Sequence, residues 1–161
     1  MMFPSPDRPQ MPSGYGMLTG GEHLPWSWAE ERLVSSRNYW IATTRPDGRP
    51  HVMPVWGVWL EGSVIFGTDR GSRKARNLAA SPAVVVHLES GDEVVIIEGP
   101  AEEIADTRML QAADDAYKAK YGQSLLGAPG DVIIYRVRPV VVFAWQESDF
   151  FQATRWRFFA L

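Results

Sequence analysis

Residues 39–68 read YWIATTRPDGRPHVMPVWGVWLEGSVIFGT, and this stretch decides the fold. Tyr39–Thr44 is aromatic and β-branched, the composition of a strand. Pro46-Asp47-Gly48 supplies turn chemistry. Residues 50–60 form a second strand, Glu61-Gly62 turns again, and Ser63–Thr68 is a third. Three strands joined by two tight turns make an antiparallel meander. The middle strand is apolar on both sides. His51, Met53, Val55, Gly57 and Trp59 share one face, while Val52, Pro54, Trp56, Val58 and Leu60 share the other. A strand with two apolar faces has both covered. One cover is the interior of a barrel; the other is a helix, a second subunit or a cofactor. Pro54 cannot donate to a ladder, so the strand is interrupted or bulged there.

Outward from this meander the chain alternates short helices with further strands. Upstream, residues 26–36 follow Pro25 and carry Ser27 and Glu30 at capping-box spacing, which predicts a helix. Residues 1–25 are polar and rich in Pro and Gly, the composition of a flexible arm without regular structure. That leaves 26–161 as a single domain. Downstream, Ser72–Ala80 reads as a helix with Ser72 as N-cap. Ala83–Glu89 and Glu93–Glu98 read as a hairpin around Ser90-Gly91-Asp92, with the second strand running on to Ile104. Asp106 caps a helix that Gly122 ends after Tyr121. Strands at 132–138 and 140–145 flank Pro139. The expectation is a mainly β fold, a six- to seven-stranded antiparallel barrel with short helices plugging its ends.

Composition narrows the function. A chain of 161 residues argues for one domain. The absence of Cys excludes disulfides, thiolate catalysis and Cys-ligated metals. A net charge of −3 argues against a general nucleic-acid or anionic-membrane binder. No apolar run approaches the ~20 residues of a membrane span. A soluble, cytoplasmic protein is expected. Aromatic residues, at 12%, are abundant for a small domain and suggest large flat surfaces covering a partner or ligand.

The strongest chemical signal lies in residues 67–78, GTDRGSRKARNL. Arg70, Arg73, Lys74 and Arg76 crowd the first turn of a predicted helix, and no acid follows Asp69 until Glu89. Cations there oppose the positive end of the helix dipole. An anion resolves the conflict, because free N–H groups, the Ser72 hydroxyl and the Arg73 and Lys74 charges converge on it. The structural alternative is a solvated basic helix paired with nearby acids. His23, His51 and His87 lack metal-ligand spacing, and no Ser has evident His or Asp partners for a nucleophilic triad.

Three pieces, YWIATTRPDGRPHVMPVWGVW, FGTDRGSRKARNLAASPAVVVHL and VVIIEGPAE, resemble the pyridoxamine 5′-phosphate oxidase-like family of flavin-binding split barrels. The resemblance implies a split barrel of the FMN-binding type. It implies that Arg73 and Lys74 hold the cofactor phosphate with Ser72 beside them. Gly67 and Thr68 would contact the phosphate or ribityl chain. The backbone of His51, Val52, Met53, Pro54, Val55 and Trp56 would lie along the isoalloxazine ring, with the cofactor between two subunits of a homodimer. There are departures. Where the true oxidase carries Arg and Lys on the second strand, this chain has His51 and Trp56, and its ring-contacting Gln aligns with Val94. The chain looks closer to the branch that uses the 8-hydroxy-5-deazaflavin coenzyme, F-420, with Arg70 and Arg76 toward its acidic tail. The resemblance therefore implies an oxidoreductase using the deazaflavin in preference to FMN. Hydride would pass between the cofactor and a planar unsaturated substrate walled by Tyr39, Trp56 and a neighbouring chain's Trp156. Two alternatives of other classes stand beside it: a flavin-binding module without turnover, and a haem protein with His51 or His87 as axial ligand.

Overall fold

The structure is a computed structural model that describes residues 4–12 and 21–158. Within them the elements follow as β1 (Pro6–Asp7), α1 (Trp26–Ser35), β2 (Asn38–Thr44), β3 (Pro50–Leu60), β4 (Ser63–Asp69), α2 (Arg73–Ala80), β5 (Ala83–His87), β6 (Glu93–Glu103), α3 (Thr107–Tyr121), β7 (Val132–Val137), β8 (Val141–Gln146) and β9 (Asp149–Arg157). Six strands close an antiparallel barrel. β2 pairs with β3, β3 with β4, β4 with β7, β7 with β6, β6 with β5, and β5 returns to β2. This is the expected split barrel. β8, β9 and β1 extend the sheet outward from β6.

Alternation decides which side chains fill the barrel. Tyr39 and Ile41 of β2, Val64 and Phe66 of β4, Val86 of β5 and Val95 and Ile97 of β6 are buried in one core. Ala29 and Leu33 of α1 and Ala75 and Leu78 of α2 pack into that same core. The opposite face of β3, β4 and β7 presents Val58, Ile65 and Ile134, and Met109 and Ala113 of α3 cover it. The doubly apolar β3 thus has the barrel on one side and, over its second half, a helix on the other.

The sheet face running from β3 across β2, β5 and β6 to β8 has no such cover. Register aligns Pro54, Trp40, His87, Ile96 and Phe143 in one row across five strands. Val52, Ala42, Val85, Glu98 and Val141 form the next row. None of these ten residues is fully buried, and no helix among the described residues packs over them.

Four sequence expectations change. Strand β3 runs unbroken through Pro54, in continuous register with β2. Helix α1 has Pro25 as its N-cap with no side-chain cap, and Glu30 instead accepts from Trp59 Nε1 at 3.1 Å. The segment read as a flexible arm contains a short strand, because Pro6 and Asp7 pair with Trp156 and Arg155 of β9. Arg155 binds the Asp7 carboxylate through two bonds of 2.8 and 2.7 Å, which fixes that pairing. Strand β9 itself was not expected. Its sequence, DFFQATRWR, mixes charged and polar residues with few aliphatic ones, so period-2 reading passes over it.

One glycine is required by close approach. A Cβ on Gly99 of β6 would stand 2.0 Å from the Arg138 carbonyl oxygen, where the chain between β7 and β8 crosses over. Gly99→Ala should cost roughly 2 kcal/mol or more, as overpacking against backbone does, read as a lower Tm; an unchanged Tm would show slack at this crossing. No helix of the described residues is long and apolar enough to cross a membrane.

Candidate functional site

The barrel is split where β3 changes partners. From Pro50 to Trp56, β3 pairs with β2, whereas its ladder with β4 runs only from Gly57 to Leu60. Along Pro50–Trp56 the edge facing β4 is therefore open. At the switch, the Tyr121 hydroxyl accepts from Gly57 N at 3.0 Å and donates to Arg37 O at 2.6 Å. It stands where the β2 ladder would continue. Odd-numbered residues of β3 thus turn their backbone groups to β2, and even-numbered ones turn them to the gap. Of those, Pro50 and Pro54 have no N–H, which leaves Val52 and Trp56 as the donors on the open edge.

At the far side of the gap β4 ends in Gly67, Thr68 and Asp69, and α2 begins. Ser72 caps α2 by accepting from Ala75 N at 3.2 Å. Lys74 Nζ donates to Thr68 Oγ1 at 2.9 Å, and Thr68 Oγ1 donates to Ser72 Oγ at 3.0 Å. The Ser72 oxygen accepts twice, so its own proton is free to point outward. Capping satisfies Ala75 N but leaves the N–H groups of Arg73 and Lys74 without an intrahelical partner. Neither Arg73 nor Lys74 forms an ion pair among the described residues, and the first turn holds no acid. Burial pushes the half-buried Lys74 ammonium below the usual lysine value. Two N–H groups, a free hydroxyl proton and two unneutralised cations converge here, a donor set that fits a phosphate. Arg70 does not belong to it: its guanidinium sits 2.9 Å from Glu103 and 3.4 Å from Asp131. Of the basic run, Arg70 is the residue with acid partners among the described residues.

The remaining site residues divide. Val52, Met53 and Pro54 are exposed, with Val52 and Met53 at 46% and 47%, unusual for a strand interior. His51 and Trp56 are half-buried and Val55 packs on the core. Trp56 stacks one face on Tyr121, ring centroids 4.6 Å apart and nearly parallel. Two expected pocket walls are not walls. Tyr39 is 0% exposed and its hydroxyl bonds Leu33 O, because its side chain points into the barrel. Trp156 is 1% exposed and packs edge-on against Trp26 of its own chain at 5.3 Å. Neither presents a face to a ligand.

A cavity of about 490 Å³ lies between β4 and the loop after α3, lined by Gly67, Thr68, Tyr117, Leu125, Pro129 and Val132. Residues 123–130 carry no periodic pattern that would reveal this wall in the sequence. Asp114 builds it: buried on α3, it accepts from Ser124 Oγ, Leu125 N and Leu126 N at 2.8, 2.7 and 3.1 Å. Lys120, also unforeseen, donates to Gly57 O at 3.0 Å, and burial, then Arg37, pushes its pKa down to about 8. The one available signal was the run of Tyr117, Lys120 and Tyr121 on the last turn of the helix.

With this geometry established, comparison with known proteins is informative. The pyridoxamine 5′-phosphate oxidase family profile matches residues 29–146. No curated protein matches the sequence. Among solved structures, a conserved hypothetical protein of Mycobacterium tuberculosis is 25% identical, with TM-score 0.65 over 76% of this chain and 85% of that one. An F420 reductase is also 25% identical, with TM-score 0.58 over 70% of this chain and 94% of its own. A haem-binding protein of Mycobacterium smegmatis shares the fold at 21% identity and TM-score 0.64, over 76% of this chain and 55% of its length. Matched over most of its length by that profile, the chain belongs to the pyridoxamine 5′-phosphate oxidase family.

Proposed function

We propose that the protein is a homodimeric flavin- or deazaflavin-dependent oxidoreductase, with the deazaflavin F-420 favoured over FMN. It would move a hydride between that cofactor and a planar unsaturated small molecule. The observation that carries this reading is the junction of the open β3 edge with the unneutralised cations of α2. A ring system needs backbone donors along one edge, and its phosphate needs a cationic end. Arg73, Lys74 and Ser72 would hold the phosphate, with Gly67 and Thr68 beside them and the Val52 and Trp56 N–H groups toward the ring. When bound, the cofactor supplies the hydride chemistry. The chain's own part is binding, orientation and exclusion of water, which agrees with a site that holds cations and hydroxyls but no carboxylate–histidine pair. The F420 reductase among similar structures supports the deazaflavin. The uncovered apolar rows on the outer sheet face support a second copy of the chain as partner, since apolar patches of this extent are seldom left bare.

Tryptophan-fluorescence titration with F-420 and FMN in parallel, alongside sedimentation, tests this. Saturable binding, tighter for the deazaflavin, and a mass of two chains are expected. Failure of both to bind, or a stable monomer, would overturn it. Reduced cofactor offered to a panel of enones and quinones then separates enzyme from sequestering module, for which no acceptor would give turnover.

One observation favours a second reading, haem binding. His87 Nδ1 lies 2.8 Å from Leu88 O, which orients the imidazole and leaves Nε2 available, as such carbonyl bonds do for metal-ligating histidines. His87 lies on the uncovered face, stacked on Trp40. A Soret band that His87→Ala abolishes would establish it; a haem titration without one would remove it.

A further inference from the structure

Among the described residues, four buried side-chain atoms have no hydrogen-bond partner: Arg32 Nε, Arg45 Nε, His51 Nδ1 and Asn77 Oδ1. Three of them belong to one place. Thr43 on β2 lies directly opposite His51 on β3, so their side chains share a face. Arg45 follows Thr43 by two residues and continues that face. Asn77, 0% exposed one turn into α2, donates to Thr43 Oγ1 at 2.9 Å. The mouth of the barrel beneath α2 thus collects two unpaired nitrogens and an unpaired oxygen. Buried polar atoms are nearly always paired, by protein, water or ligand.

Charge points the same way. The His51 ring feels Arg45, Lys74 and Arg73 together, and these charges add to burial in disfavouring its protonated form. Among the described residues no acid pairs with Arg45, Arg73 or Lys74. Asp47, two residues from Arg45, is taken by Arg49 at 2.8 Å. Asp69 uses its carboxylate to accept from Gly71 N at 2.7 Å. The turn that carries Arg45 is closed by Arg45 N to Arg49 O at 2.9 Å and Gly48 N to Arg45 O at 2.8 Å, so the guanidinium springs from a fixed base.

We propose that Arg45, from the turn between β2 and β3, is a further anion-binding residue that closes on the same phosphate as Arg73 and Lys74, with the His51 ring beside it. The anion is then clasped from two elements, a helix start and a hairpin turn, rather than by the helix alone. This rests on the cofactor reading above and adds to it a residue outside the basic run, to which the family resemblance assigned no contact.

The test uses ligand pairs that differ in the phosphate alone: FMN against riboflavin, and the deazaflavin chromophore carrying a terminal phosphate against the same chromophore without it. The ratio of the two Kd values in a pair reads the phosphate site and needs no turnover. Arg45→Gln should lower that ratio about tenfold or more, the loss expected of one charge-assisted hydrogen bond. Affinity for the phosphate-free partner should be unchanged, and Arg45→Lys should restore part of the ratio. An unchanged ratio in Arg45→Gln, where Arg73→Ala with Lys74→Ala abolishes it, would overturn the clasp and leave the cofactor reading standing. Equal loss for both members of a pair would also overturn it, as a merely structural role. A wild-type ratio near one would bring down the cofactor reading and the clasp with it.

Discussion

Replacing Arg73 and Lys74 together by alanine should weaken phosphate-bearing cofactor by about 10²–10⁴-fold, because two charge-assisted hydrogen bonds contribute about 3–6 kcal/mol. The same change should not weaken the fold. Neither side chain forms an ion pair among the described residues, and both place positive charge at the positive end of α2. Alanine removes that repulsion, worth about 0.3–1 kcal/mol per charge at most, and is the better helix former. The one loss is the Lys74–Thr68 bond, and Thr68 keeps its bond to Ser72. Opposite signs on binding and stability are the signature of residues held for a ligand. Titration calorimetry beside thermal unfolding reads both. Unchanged affinity would remove the anion site; a collapse of Tm would show that the pair holds the helix and not a ligand.

Asp114→Ala should have the largest effect on stability, about 2–4 kcal/mol, since it strands buried backbone donors. The carboxylate is 2% exposed and holds three donors from residues 124–126, with Lys118 at 2.6 Å. Leu125, which it positions, is buried against the outer face of β4. The bond from Lys118, and those from Leu126, Ser124 and Leu125, hold the Asp114 carboxyl well below the usual carboxylate range against the opposing effect of burial. A lowered folded-state pKa contributes stability that is fully present above the unfolded value, near 3.8, and is lost as pH falls through the folded one. The gap in stability between wild type and Asp114→Ala should therefore be constant near neutrality and narrow below about pH 4. Denaturant unfolding across pH measures it. A gap that stays constant into strong acid would mean that the side chain acts by packing and not by charge.

Local pattern carried much of the fold. The meander of β2, β3 and β4, the Ser72 and Asp106 caps and the Gly122 stop all depend on neighbours in sequence, and the structure has each of them. Apolarity on both faces of β3 demanded two covers; α3 supplies one over its second half, which pattern could not say because helix docking is a long-range choice, while Val52, Met53 and Pro54 stay exposed. β1 and β9 were illegible as well. β1 is held only by the remote β9, through Asp7 and Arg155, across nearly the whole chain, whereas β9 pairs with its neighbour β8 and is hidden by its mixed polar and aromatic sequence. At the site, charge crowding marked Arg73 and Lys74 from sequence. It could not separate them from Arg70, whose partners Glu103 and Asp131 come from remote elements. Tyr39 and Trp156 were misplaced because aromatic identity says nothing about which way a ring points.

The open edge of β3 has a consequence for the life of the protein in a crowded solution. An unpaired strand edge is a template on which another chain can build a cross-β contact. This one carries Val52 and Met53 exposed beside it. Its two prolines, four residues apart, remove alternate donors from the open side, so an incoming strand finds an incomplete ladder. Arg45 and His51 at one end add charge and bulk to the approach. The residues that shape the gap are thus also those that keep it from being filled by the wrong polypeptide.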